Sequence, residues 1–225
     1  MKQYKRYTLV EIMVVMALAA VLVTISLPAF SALMRGNSAA IASSTIKGVF
    51  DQAQARAIND RKYVATVIDV TNDSQALRNC YVKPGTYVFQ SWVEGSDWVK
   101  LDGDAKILMS ALGEAGTKFQ FPSGGVAPAL GGLQDITGIT GASAAARPGV
   151  VFTMYGSVKV PNGNFFIGVG EAAQMNNAYI YKNVTDGGQP GNAMVLTVNH
   201  FTGRSQVASL DIVSESGTEK RKIVE

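Results

Sequence analysis

A single carboxylate, Glu11, stands inside the apolar run Tyr7 to Phe30, YTLVEIMVVMALAAVLVTISLPAF. The chemistry open to it there is pairing rather than catalysis. A carboxylate at mid-bilayer costs about 2.5–3.5 kcal/mol on insertion scales, and less near an interface. A cation brought against it in an apolar surround is strongly favoured over either charge left alone. Lys2, Lys5 and Arg6 precede the run. In an assembly of such helices, the positive start of one can therefore meet Glu11 of its neighbour.

Raw material for other chemistry is thin. With one histidine, His200, and one cysteine, Cys80, a His/Cys zinc cage within one chain is ruled out, as is an intrachain disulfide. A hydrolase triad has little to draw on, and no Gly-x-Ser-x-Gly elbow occurs. The Gly-rich GGVAPALGG lacks the Lys-Ser/Thr ending of a phosphate-binding loop. The chain is therefore expected to be no enzyme and to hold no cofactor or metal. Asp97, Asp102 and Asp104 in SDWVKLDGD offer oxygens for calcium, but their spacing is not that of an EF-hand, and a solvated turn accounts for them. Trp92 and Trp98 read as an exposed aromatic pair or as strand packing. Cys80, ahead of Tyr81 and Val82 in a strand-like run, reads as a buried structural thiol. Lys220, Arg221 and Lys222 form a basic cluster in the tail GTEKRKIVE. It reads as a frayed solvated tail or as a weak nucleic-acid contact through phosphates. A net charge of +3 with 16% charged residues does not by itself imply such a partner.

The elements that must position these groups follow from periodicity. A helix over residues 7–30 would span about 36 Å, against roughly 30 Å of hydrocarbon. A secretory signal peptide ending near Ala29 and Ser31, a plain membrane anchor and an assembly helix all fit such a run. The basic residues ahead of it predict a cytoplasmic N-terminus with the remainder exported. Pro28 and Gly36 predict a bend or local melting between them. A second helix then starts at Asn37 or Ser38. Ile46, Val49, Ala53 and Ala57 form its core stripe, with Ile41 ahead and Phe50 beside them, and it ends near Asn59–Arg61. From Lys62 the period becomes two. Strands are expected at residues 63–70, 80–82, 86–93, 98–101, 106–109, 118–121, 150–160, 165–169, 179–181, 194–200 and 205–213. Pro84-Gly85, Asn162-Gly163 and Gly187-Gly188 mark turns. The Gly-, Ala- and Ser-dense 123–149 reads as a flexible loop.

The expected organisation is a basic leader 1–6, a transmembrane and assembly helix 7–30, an amphipathic continuation 31–61 and a β-rich domain 62–225. The fold class is α+β. One long N-terminal helix, half membrane and half amphipathic, packs on an antiparallel β domain.

Tyr7-Thr8-Leu9-Val10-Glu11-Ile12, followed by MVVMALAAVL and by Pro28, resembles the N-terminus of type IV pilins and type II secretion pseudopilins. SSTIKGVFDQAQARAINDRKYVATV resembles the helix-to-strand passage of the H-type minor pseudopilins. PGVVFTMYGSVKVPNGNFFIGVG and the Thr202-Gly203-Arg204 turn resemble the end of that domain. Gly203 fits a positive φ in a hairpin. The resemblance covers residues 7–65 closely and 150–213 loosely.

The resemblance implies a leader removed by a prepilin peptidase between Arg6 and Tyr7. It implies N-methylation of Tyr7, a registration charge at Glu11 and a helix kink at Pro28. Tyr7 stands where the family has Phe, and Arg6 where it has Gly. It implies a minor pilin or pseudopilin subunit supporting protein export or pilus assembly. The implied partners are other pilin or pseudopilin subunits, the inner membrane and its assembly platform. The implied placement is the bacterial inner membrane, single-pass, with the β domain periplasmic. A DNA-binding minor pilin and a plain membrane-anchored β protein are the alternatives.

Overall fold

The computed structural model describes residues 9–70, 75–101, 103–113, 120–122, 129–139, 146–160, 163–175, 178–185, 188–215 and 218–223, with side chains at all of these except 25, 27–36, 174–175, 211–215 and 218–222. The chain divides into two compact units, Met1–Asn37 and Ser38–Glu225.

The first unit holds α1 (Leu9–Gly36), which begins with Glu11 in its first turn. The second opens with α2 (Ser38–Asp60). Helix assignment continues past Pro28 and is interrupted at Asn37, one residue beyond Gly36. No helix among the described residues is long and apolar enough to cross a membrane. This corrects the expectation of a transmembrane helix at 7–30. With it go the transmembrane part of the pilin resemblance and the single-pass inner-membrane placement. The α+β spine is corrected too. Among the described residues the chain is mostly antiparallel β sheet with two separate helices, not one long helix on a β domain.

Helix α2 carries Ile46, Val49, Phe50, Ala53 and Ala57 on its buried side, preceded by Ala39 and Ala42. Ile41 is 52% exposed instead. It lies five residues ahead of Ile46, about 140° round the helix, and so off the stripe. The helix ends in a Schellman arrangement. Arg61 takes the left-handed conformation at φ 52°, and the Lys62 N–H donates to the Ala57 carbonyl at 3.2 Å. Glycine is the residue that takes this position without a Cβ penalty. Arg61→Gly is expected to raise stability by about 0.5–1 kcal/mol, read as an increase of about 1–4 °C in Tm.

Two sheets follow. The first runs β3 (Phe89–Trp92), β2 (Ala76–Val82), β1 (Val64–Asp69), β8 (Arg147–Phe152) and β7 (Gln134–Ile136), with β4 (Val99–Lys100) also on β2. The second runs β13 (Thr218–Ile223), β12 (Ser205–Glu215), β11 (Met194–Val198), β9 (Asn164–Met175), β5 (Ala105–Gly113) and β6 (Ala129–Leu130), with β10 (Ala178–Tyr181) on β9. Every pairing between them is antiparallel except β5 with β6.

The largest core cluster joins α2 to both sheets, through Ile46, Phe50, Val64, Phe152, Ile167 and Leu196 among others. Phe50 meets Phe152 edge to face, with ring centroids 5.8 Å apart. Two buried amides hold elements that sequence patterns do not link. Asn79 of β2 donates to the Val49 carbonyl of α2 at 3.2 Å and accepts from Thr66 at 2.7 Å. Gln75 pairs with both the N–H and the carbonyl of Ile107, at 2.6 and 3.1 Å, and donates to Tyr179 at 2.6 Å. Its side chain thus behaves as one more rung beside the bulged register of β5.

Three local expectations change. The tail is not frayed over 218–223: β13 pairs with β12 in register, Ile223 opposite Leu210. The 123–149 stretch contains β6, β7 and the start of β8, while 123–128 and 140–145 lie outside the described residues. The run expected as one strand at 150–160 leaves β8 after Phe152 and turns at residues 153–157.

Candidate functional site

All sixteen side chains of α1 over 9–24 are exposed. Leu9, Val10, Met13, Met16 and Leu22 each show more than 60% of their surface. A helix apolar all round is a helix that is covered in its working state. Its two described hydroxyls do not disturb this surface. Thr24 Oγ1 bonds back to the Ala20 and Val21 carbonyls at 3.1 and 2.8 Å, and Ser26 Oγ to the Leu22 carbonyl at 2.7 Å. Their polarity is thus turned onto the backbone of their own helix.

Glu11 is the charged group in this described surface, and it is exposed. Its place in the first turn suits it, because the unpaired N–H groups of a helix start carry partial positive charge. Arg6 and Tyr7, the expected cleavage and methylation positions, lie outside the described residues, as does the side chain of Pro28.

Lys220, Arg221 and Lys222 lie on β13, opposite Val213, Ile212 and Asp211. Their side chains lie outside the described residues. Lys222 is moreover in register with an aspartate. Asp97 is fully exposed, 4.0 Å from Arg78, and Asp104 is paired with Lys182 at 2.5 Å. Asp102 lies outside the described residues. Among those residues no group of three or more acidic, His or Cys side chains is placed to hold a metal.

Trp92 and Trp98 form an edge-to-face pair 5.4 Å apart, half-buried over the outer face of the first sheet. Phe89 meets Trp92 at 4.9 Å, the Arg78 guanidinium lies 4.3 Å over Trp92, and Arg147 lies 5.5 Å over Trp98. Arg147 also pairs with Asp69 at 2.5 Å. This is a cover for Ala65, Val67, Cys80 and Val151 beneath it. Cys80 is fully buried, and burial pushes its thiol up to about 12, so at neutral pH it is an inert core residue.

A second exposed surface escapes sequence reasoning. The turn at 153–157 and the β11–β12 turn at 199–204 are tied together by Gln54 of α2. Its amide donates to the Gly156 carbonyl at 3.0 Å and to the Thr202 carbonyl at 2.5 Å. The turns carry Tyr155 and Phe201, 80% and 75% exposed, beside Ile58 at 47%. Asn199 Oδ1 accepts from the N–H groups of Phe201 and Thr202, both at 3.0 Å. The Thr-Gly-Arg turn was the one signal available, and Gly203 has φ 66° as a hairpin glycine should. Tyr155 falls within the strand expected at 150–160, and Phe201 lies between the strands expected at 194–200 and 205–213, where nothing in the sequence marks it as exposed.

No protein-family model, curated protein or solved structure matches this chain.

Proposed function

We propose that this chain is a structural subunit of a pilin- or pseudopilin-type filament, which assembles by covering the apolar surface of α1 with the same helix of other subunits. The observation that carries the proposal is the exposure of every side chain over 9–24 on a helix that bears one carboxylate. Apolar contact supplies the association, and Glu11 supplies its register. Sliding one helix along another leaves association intact but separates Glu11 from the cation at its neighbour's start, and a lone charge in an apolar surround is costly. The Thr-Leu-Val-Glu resemblance supports the same reading. On it, a prepilin peptidase removes residues 1–6, the α-amine freed at Tyr7 is the cation that meets Glu11 of the neighbour, and other subunits of the filament are the partners.

The test uses the full chain, with filament yield followed by sedimentation and electron microscopy. Glu11→Ala is expected to lower the yield of ordered filaments by more than about a hundredfold, from the 3–5 kcal/mol cost of removing one partner of a buried pair. The thermal transition of the β unit should stay where it is. Unchanged filaments from Glu11→Ala would remove the registration role. Unchanged filaments from Val14→Asp would remove α1 as the assembly surface.

A further inference from the structure

We propose that the two-turn tip bearing Tyr155 and Phe201 docks onto the acidic Glu94–Asp97 turn of a second copy of this chain. The proposal rests on the filament reading above, to which it adds a contact between β units.

The tip is prebuilt. A Cβ on Gly156 would lie 2.8 Å from Ile58 Cδ1, and one on Gly203 would fall onto the Gly156 carbonyl. The two turns therefore meet backbone to backbone, with Gln54 bridging them. Aromatic side chains displayed on such a fixed platform lose little conformational freedom on binding, the condition under which exposed aromatics become interface anchors. Their surroundings are cationic. Exposed Arg204 follows Gly203 in the turn, exposed Arg61 lies one helical turn past Ile58, and exposed Lys159 follows Val158, whose N–H bonds the His200 carbonyl at 2.9 Å. Of the nearby anions, Asp51 is paired with Lys47 and accepts from Ser205 at 2.6 Å, and Asp60 accepts from the Tyr81 hydroxyl at 2.5 Å.

The complementary surface is on the first sheet. Glu94 and Asp97 are exposed on a turn held by Ser96, whose hydroxyl donates to the Asn79 and Val93 carbonyls at 3.0 and 2.7 Å. Half-buried Trp98 and exposed Val99 follow in sequence, so the acidic turn also has an apolar border. Aromatic with base meets apolar with acid. Because the two patches are different surfaces of one chain, the contact is heterologous, and repetition extends it in one direction instead of closing a dimer.

The experiment is site-directed cross-linking of full-length protein with a short bismaleimide, using Thr202→Cys in one preparation and Val99→Cys in another. A link is expected only in the mixture. Adding Arg61→Glu and Arg204→Glu to the first should cut its yield at least about tenfold, and Glu94→Lys with Asp97→Lys in the second should restore it. No link, a Thr202→Cys chain linking mainly to itself, or a link insensitive to charge reversal would overturn the docking. So would salt-sensitive retention of single-stranded DNA by the tip with no chain-to-chain link. Glu11→Ala in both preparations should leave the link in place, so that a failure of the α1 reading is distinguishable from a failure of this one.

Discussion

Phe50→Ala is expected to lower the unfolding free energy by about 3–5 kcal/mol, the range for removing a fully buried aromatic side chain. Phe50 shows none of its surface and stands at the junction of α2 with the two sheets. Truncation forfeits its transfer free energy and its edge contact with Phe152. It also leaves a cavity bounded by a helix on one side and sheet on the other. Neither element can collapse into it freely. Asn79 ties β2 to the Val49 carbonyl, one residue away on the same helix, and so resists a shift of α2 toward the sheet. The readout is calorimetry or circular dichroism of the full chain, where this loss corresponds to a fall of about 6–20 °C in Tm. Phe201→Ala, at a ring 75% exposed, should change stability by less than about 0.5 kcal/mol. Equal effects at the two phenylalanines would mean that α2 does not pack as described.

This contrast shows where sequence reasoning succeeds. Phe50 lies beside the stripe Ile46, Val49, Ala53 and Ala57, which repeats at helical spacing, so its burial follows from its neighbours. Ile41 fails the same test once the rotation per residue is counted. Strand β1 was legible for the same kind of reason, a run of Val, Ile and Thr between turns. What lies beyond a local window was not. Strand β13, TEKRKI, has no alternation of apolar and polar residues, and its pairing is set by the open edge of β12. Strands β6 and β7, two and three residues long, fall below the length at which a period can be read. Gln75 and Gln189 read as loop residues. Gln75 bonds the backbone of Ile107, and the Gln189 side chain accepts from the Phe121 N–H at 2.9 Å, 68 positions away. In the candidate site, Glu11 was legible because a charge in an apolar run is conspicuous. The Tyr155–Phe201 tip was not, because exposure depends on Gln54, about a hundred residues earlier, clamping two turns.

Gly203→Ala should cost about 2–5 kcal/mol, and the position of that turn explains why so small a change is so damaging. Its φ of 66° alone costs an alanine about 1–2 kcal/mol. The added Cβ also meets backbone, the Gly156 carbonyl oxygen, which no rotamer can move aside. It falls 2.6 Å from Gln54 Nε2 as well. Relief requires the two turns to part, and parting them breaks both amide hydrogen bonds from Gln54, each worth about 0.5–1.5 kcal/mol. Gly85→Ala separates these contributions. Gly85 has φ 82°, yet nothing lies within 4 Å of its would-be Cβ, so it should lose only the conformational part. Urea unfolding of the two variants gives the difference directly. A gap of at least about 1 kcal/mol in favour of Gly85→Ala is the contribution of turn-to-turn packing. Equal losses would mean that the turns are not in backbone contact, and the aromatic tip would then lack the rigid base on which its docking depends.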